Sequence, residues 1–108
     1  MVTIIFRSRL RPEHVEQYKE VAEKIDALVR TTPGLIAYKT FDAADGERVT
    51  LAEFDTLENA RVWGENVEHL EAQRLGREQF YSEYRVQVCD TLRAYNFADG
   101  RRTTEVKR

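Results

Sequence analysis

The order in which two-residue and helical periodicities succeed one another limits this sequence to very few folds. Val2, Ile4 and Phe6 fall on one face of a strand from Val2 to Leu10, with Thr3, Ile5 and Arg7 on the other. The spacing then becomes helical: Val15, Tyr18, Val21 with Ala22, Ile25, and Leu28 with Val29 recur on one side, and Glu13, Glu16, Lys19, Glu20, Glu23 and Lys24 cover the wet side. Arg11-Pro12 opens this helix and Thr32-Pro33-Gly34 stops it. Leu35 to Asp42 reads as a second strand, Asp45-Gly46 as a hairpin turn, and Val49 to Phe54 as the returning strand. Asp55 or Thr56 caps a second helical region, with Glu58 three residues after Asp55 as a capping box requires. Leu57, Ala60, Trp63 and Val67 line its apolar side. Gly64 interrupts it before a further helical stretch from Glu68 to near Ser82, and Tyr84 to Phe97 alternates as a long last strand.

A β-α-β-β-α-β chain with two right-handed crossovers gives a four-stranded antiparallel sheet with both helical regions on one face, the ferredoxin-like α+β arrangement. The opposite face has no cover of its own. Ile5, Ile36, Tyr38, Phe54, Cys89, Tyr95 and Phe97 are expected there, and a patch of that kind is larger than monomers usually leave wet. A second copy packed sheet to sheet, about 10 Å away, would cover it, so the expected state is a homodimer. The 108 residues suffice for one domain, placed at residues 1–97. Residues 98–108, with Arg101, Arg102, Lys107 and Arg108, are expected to form a flexible tail.

A formal net charge of −2 argues against nucleic acid as the main partner, because phosphate binding calls for clustered excess Lys and Arg. Cys89 is the only cysteine, so neither an internal disulfide nor a cysteine zinc site can form, and no metal site is expected. Reduced, cytoplasmic conditions suit such a chain. The apolar start from Met1 to Phe6 runs directly into Arg7, too short for a signal segment, and no apolar run approaches the ~20 residues of a membrane span.

Several pieces taken together resemble the antibiotic biosynthesis monooxygenase domain of the dimeric α+β barrel superfamily. They are the Thr32-Pro33-Gly34 turn with Leu35-Ile36, the run Leu51-Ala52-Glu53-Phe54-Asp55, Trp63 with His69 six residues on, and Phe80-Tyr81 before the strand from Tyr84. The resemblance covers about Val2 to Phe97. Among such proteins some oxidise anthrones or quinols with dioxygen and neither metal nor flavin, some bind and degrade haem, and many have no assigned activity. It therefore implies a homodimer that acts on a small aromatic substrate without a cofactor. The alternatives are a non-catalytic binding barrel and a haem-binding or haem-degrading protein. Against the haem reading, the first strand carries Arg7, Ser8 and Arg9 where haem degraders place an asparagine.

Cofactor-free oxygenation needs a flat apolar pocket, a group that removes a proton, and a few polar groups that hold the anion. His69, Trp63 and Asn66 are the candidate catalytic residues. His69 can act as a base near neutral pH, Trp63 can wall the pocket, and Asn66, one helical turn after Trp63, can hold a substrate hydroxyl or end a helix beside Gly64. Phe6, Tyr38, Phe54, Phe80, Tyr81 and Arg7 are the candidate substrate-binding residues, although the alternation of the first strand puts Arg7 and Arg9 on the face opposite Phe6. His14 reads as a surface residue and Cys89 as a small packed side chain.

Overall fold

A computed structural model describes residues 1–104. Strand β1 (Val2–Leu10) leads to helix α1 (Val15–Val29), strands β2 (Leu35–Asp42) and β3 (Arg48–Phe54), helices α2 (Leu57–Gly64) and α3 (Val67–Leu75), a single π-helical turn (Gly76–Phe80) and strand β4 (Tyr81–Asp90). The four strands form one antiparallel sheet in the order β2-β3-β1-β4. The helices lie on one of its faces, as the order of periodicities predicts.

Register assigns the faces. Val2 stands opposite Phe54 and Asp90, Ile4 opposite Ala52 and Val88, Phe6 opposite Thr50 and Val86, and Ser8 opposite Arg48 and Tyr84. These rows face the helices. Val2, Ala52 and Phe54 meet Val29, Ala60 and Trp63 in the buried core, with Ile25, Leu28 and Tyr38 packed against it. Burying a side chain such as Phe54 is worth roughly 2–3 kcal/mol, so this cluster anchors both α1 and α2 to the sheet. Tyr38 and Phe54, expected on the open face, are on the helix face instead. Phe54 pairs with Val2, and a β-bulge between Leu35 and Ala37 shifts the phase of β2 so that Tyr38 pairs with Ala52.

The Thr32-Pro33-Gly34 turn joins α1 to the sheet and also fixes where α2 begins. Gly34 has φ 83°, a left-handed conformation that suits glycine. Its carbonyl accepts the Asp55 N–H at 2.9 Å. The Asp55 carboxylate in turn accepts from the Asn59 side chain at 2.7 Å, while Thr56 caps α2 by accepting the Asn59 N–H at 3.1 Å. The cap is therefore Thr56 with Asn59, and Glu58 reaches forward to Arg61 at 3.7 Å instead of closing a capping box.

Three boundaries differ from the sequence reading. Pro12 lies before α1, which starts at Val15 after an exposed His14 in the left-handed conformation. The second helical region ends at Phe80, and Tyr81 and Ser82 already belong to β4. The last strand stops at Asp90; Tyr95–Ala98 then pairs with Arg101–Thr104 as a separate hairpin, which we call β5 and β6. Tyr95 and Phe97 thus leave the main sheet, and residues 98–104, expected to begin a flexible tail, provide the end of the first arm, the turn and the return arm of this hairpin. The remainder of that tail, 105–108, lies outside the described residues.

A Cβ at Gly34 would strike Asp55 and Asn59 and would hold an L side chain at positive φ. Gly34→Ala is expected to cost about 2 kcal/mol and to lower Tm by roughly 8 °C in a thermal melt followed by circular dichroism. An unchanged melt would contradict the role given to this turn.

Candidate active site

Between the helices and the sheet lies a cavity of about 400 Å³, within the range of small-molecule sites. Ile4, Phe6, Thr50 and Ala52 form its floor, α1 contributes Tyr18, Val21 and Ile25, and α2 and α3 contribute Trp63 and His69. Phe80 and Tyr81 close it from the π turn and the start of β4.

The geometry around His69 follows from how α2 ends. The last carbonyls of a helix have no partner within the helix. α2 stops at Gly64, and the Trp63 carbonyl accepts the Asn66 N–H at 3.2 Å and faces the His69 Nδ1 at 3.1 Å. A carbonyl oxygen can only accept, so Nδ1 carries the proton and Nε2 carries the lone pair. The imidazole also stacks on the Trp63 ring, with centroids 4.2 Å apart and planes 14° from parallel. Burial pushes the His69 pKa below its usual value, opposed by the Trp63 carbonyl, which favours the protonated ring. The ring in this wall is therefore a neutral imidazole with one basic nitrogen.

Asn66 does not line the cavity. Its Oδ1 caps α3, accepting the N–H groups of Glu68 at 2.9 Å and of His69 at 3.1 Å. It holds the backbone of His69 rather than a ligand. Trp63 is 4% exposed and is both core and cavity wall. Phe6, Tyr38, Phe80 and Tyr81 line the cavity, whereas Phe54 lies fully buried in the core. Arg7 is excluded by the alternation of β1: it is on the open face, in a two-pronged pair with Glu47 at 3.0 and 3.1 Å.

The Tyr38 hydroxyl donates to Asp26 Oδ1 on α1 at 2.8 Å. Burial first, then that carboxylate, pushes its pKa well above the ordinary phenol range. Burial, and then neighbouring Tyr18, does the same to Tyr81. Both hydroxyls remain neutral. Tyr81 is seated by Gly76, where a Cβ would come within 2.5 Å of its ring. Phe6, Tyr18, Phe80, Tyr81 and Tyr84 form a continuous set of ring contacts with centroids 5.4–5.9 Å apart.

Sequence reasoning missed Tyr18 and Arg48, the polar groups of this aromatic end. The Arg48 Nη1 donates to the Tyr18 hydroxyl at 2.8 Å, and the guanidinium lies 5.3 Å from the centre of the Tyr18 ring. The signal was present: Arg48 and Thr50 continue, by twos, the strand face that holds Ala52 and Phe54.

A one-sided α+β domain with a ligand-sized cavity under its helices is the class that this fold and site define. Residues 1–75 match the antibiotic biosynthesis monooxygenase family, and the chain belongs to that family. In sequence it is similar to the uncharacterised protein YqjZ of Bacillus subtilis (strain 168), at 29% identity over 96 residues, covering 89% of this chain and 83% of YqjZ. Its fold is similar to that of Rv0793 from Mycobacterium tuberculosis (TM-score 0.74, 20% identity, 84% of this chain and 94% of that one). PA3566 from Pseudomonas aeruginosa also shares it (TM-score 0.69, 15% identity, 84% and 93%).

The hydrogen bond to Trp63 sets an observable. Nitrogen-15 correlation spectra above pH 7 are expected to show His69 protonated at Nδ1, with a titration midpoint below the usual 6.5. Because its folded pKa is depressed, His69 favours the folded state above pH ~6.5, and this contribution fades as pH falls toward the folded pKa. His69→Gln should remove that part of the pH dependence. Protonation at Nε2 would contradict the assignment.

Proposed function

We propose that this protein is a cofactor-independent monooxygenase that oxidises a small anthrone-like or quinol-like aromatic with dioxygen in the cavity beneath its helices. The observation that carries the reading is a basic, neutral His69 in the wall of a roomy aromatic cavity. A non-catalytic barrel would more naturally fill this space with side chains, and 400 Å³ of cavity beside His69 speaks against that.

The chemistry follows from the residues. An anthrone methylene, or the phenol conjugated to it, loses a proton to the His69 Nε2. The delocalised carbanion passes one electron to dioxygen, and the radical pair closes to a carbon–oxygen bond. The peroxide regains the proton from the imidazolium. Loss of the second methylene proton with cleavage of the O–O bond releases water and leaves a ketone, so CH2 and O2 become C=O and H2O. Trp63 and Phe6 give the flat ring its apolar bed and exclude water, which makes polar contacts to the anion worth more. Asn66 acts as a positioning residue, through the first turn of α3.

Haem fits the lining less well. A porphyrin carries two propionates, but both cavity-lining arginines already have a carboxylate beside them, Arg61 with Glu58 at 3.7 Å and Arg48 with Asp42 at 3.0 Å.

The protein is proposed to work as a homodimer. The open face presents Ile5, Val49, Leu51 and Phe41, the last 45% exposed, at positions that alternate with the cavity floor. A second sheet would cover them.

Oxygen consumption by chelator-treated protein with 1,8-dihydroxyanthrone and a hydroquinone panel tests the reading. Turnover is expected, with kcat/KM rising through a pKa below 6.5 and level above it. His69→Ala should lower kcat by about 100-fold or more, and Trp63→Phe should act mainly on KM. Absence of turnover across the panel would overturn the oxygenase reading, and a Soret band on mixing with haemin, lost in His69→Ala, would replace it with the haem reading.

A further inference from the structure

The cavity has two chemically different ends. Trp63 belongs to the core cluster that holds Ala52 and Ile4, His69 stacks on it, and Arg48 stands in the Ser8 row. Four residues of strand separate the rows, about 13 Å at ~3.3 Å per residue. The cavity of about 400 Å³ takes in both ends, and the mutually touching rings of Phe6, Tyr18 and Tyr81 form part of its wall, against which a flat fused-ring body can lie.

Arg48 is held but not saturated. Nη1 is bound by the Tyr18 hydroxyl. Nε is 3.0 Å from Asp42 Oδ1, yet the carboxylate lies off its N–H axis, so that buried nitrogen has no hydrogen-bond partner. Nη2 makes no hydrogen bond among the described residues. Asp42 is largely in water, with its side chain 71% exposed against 29% for Arg48, and a carboxylate placed there holds a cation weakly. The other acid near the cavity centre, Asp26, is taken by Tyr38. A guanidinium with spare donors, oriented by a tyrosine and walled by aromatic rings, is suited to an anionic oxygen on a flat molecule.

We propose that the Arg48–Tyr18 end of the cavity is an anion subsite, and that the molecule bound is a fused-ring aromatic with a carboxylate or ionised oxygen at the end remote from the carbon that faces His69. This rests on the oxygenase reading only for which end reacts. In that reading the subsite fixes the direction in which the substrate enters, so that the same edge of the ring always meets Nε2.

The test uses binding rather than turnover. The single tryptophan, Trp63, lies in the cavity wall, so its fluorescence reports occupancy directly. The matched ligands are 6-hydroxy-2-naphthoate and 2-naphthol, which differ in the carboxylate. The naphthoate is expected to bind at least about tenfold more tightly. Arg48→Met should reduce that preference to about twofold or less. Asp42→Asn, which removes the competing carboxylate and leaves the cavity intact, should widen it. Equal affinities in the unaltered protein, or an Asp42→Asn variant that loses the preference, would overturn the subsite. A retained preference without oxygen uptake would sink only the oxygenase reading, whereas turnover of neutral anthrones without a preference would sink only the subsite.

Discussion

One backbone carbonyl at the end of a short helix organises the site. Gly64 ends α2 and leaves the Trp63 carbonyl in need of donors. His69 supplies one of them and is thereby fixed in tautomer, plane and position. Asn66 makes this possible by starting α3 within two residues of the end of α2, so that His69 falls in its first turn. The remaining properties of the ring follow: Nε2 is the basic nitrogen, burial keeps it neutral, and Trp63 covers one face. An unbroken helix through residues 57–75 would satisfy the Trp63 carbonyl internally and leave the imidazole free to rotate.

The sheet supplies the other half of the arrangement by assigning different tasks to its two faces. Residues facing the helices build the core at the Val2 row, then the cavity floor, then the Arg48 end. Residues facing away combine apolar side chains with ion pairs such as Arg7–Glu47 and Arg9–Asp45. Since successive side chains of a strand alternate, a one-residue slip in β1 or β3 would exchange the two sets. The bulge in β2 and the turn at Gly34 are therefore part of the site, although neither touches the cavity.

The order of the elements, the face of β1 and the apolar side of α2 were legible because each rests on a period repeated over several residues. The family resemblance, carried by the Thr32-Pro33-Gly34 turn, the Leu51–Asp55 run and the Trp63–His69 spacing, is matched by the family shown over residues 1–75. The errors arose where one residue changes phase. The β2 bulge moved Tyr38 to the helix face, and the π turn ended the helix at Phe80. The break after Asp90 turned an apparently long strand into a strand and a hairpin. For Asn66 the sequence offers both a substrate contact and a helix boundary, since its place beside Trp63 is local, and the demand of α3 for a cap decides for the boundary. Arg48 was overlooked because a charged residue beside a hairpin turn reads as solvated. Its contact with Tyr18 joins two elements 30 residues apart, beyond any local pattern.

The central claim is that small aromatics enter the space between helices and sheet and meet His69 there. Chemical-shift mapping during a titration with 1-naphthol tests it most directly. The account predicts that the lone Trp63 indole signal, the His69 ring and the amides of Ala52 and Phe6 move together. Shifts gathered instead on Thr3, Ile5 and Leu51, on the open face, would contradict it.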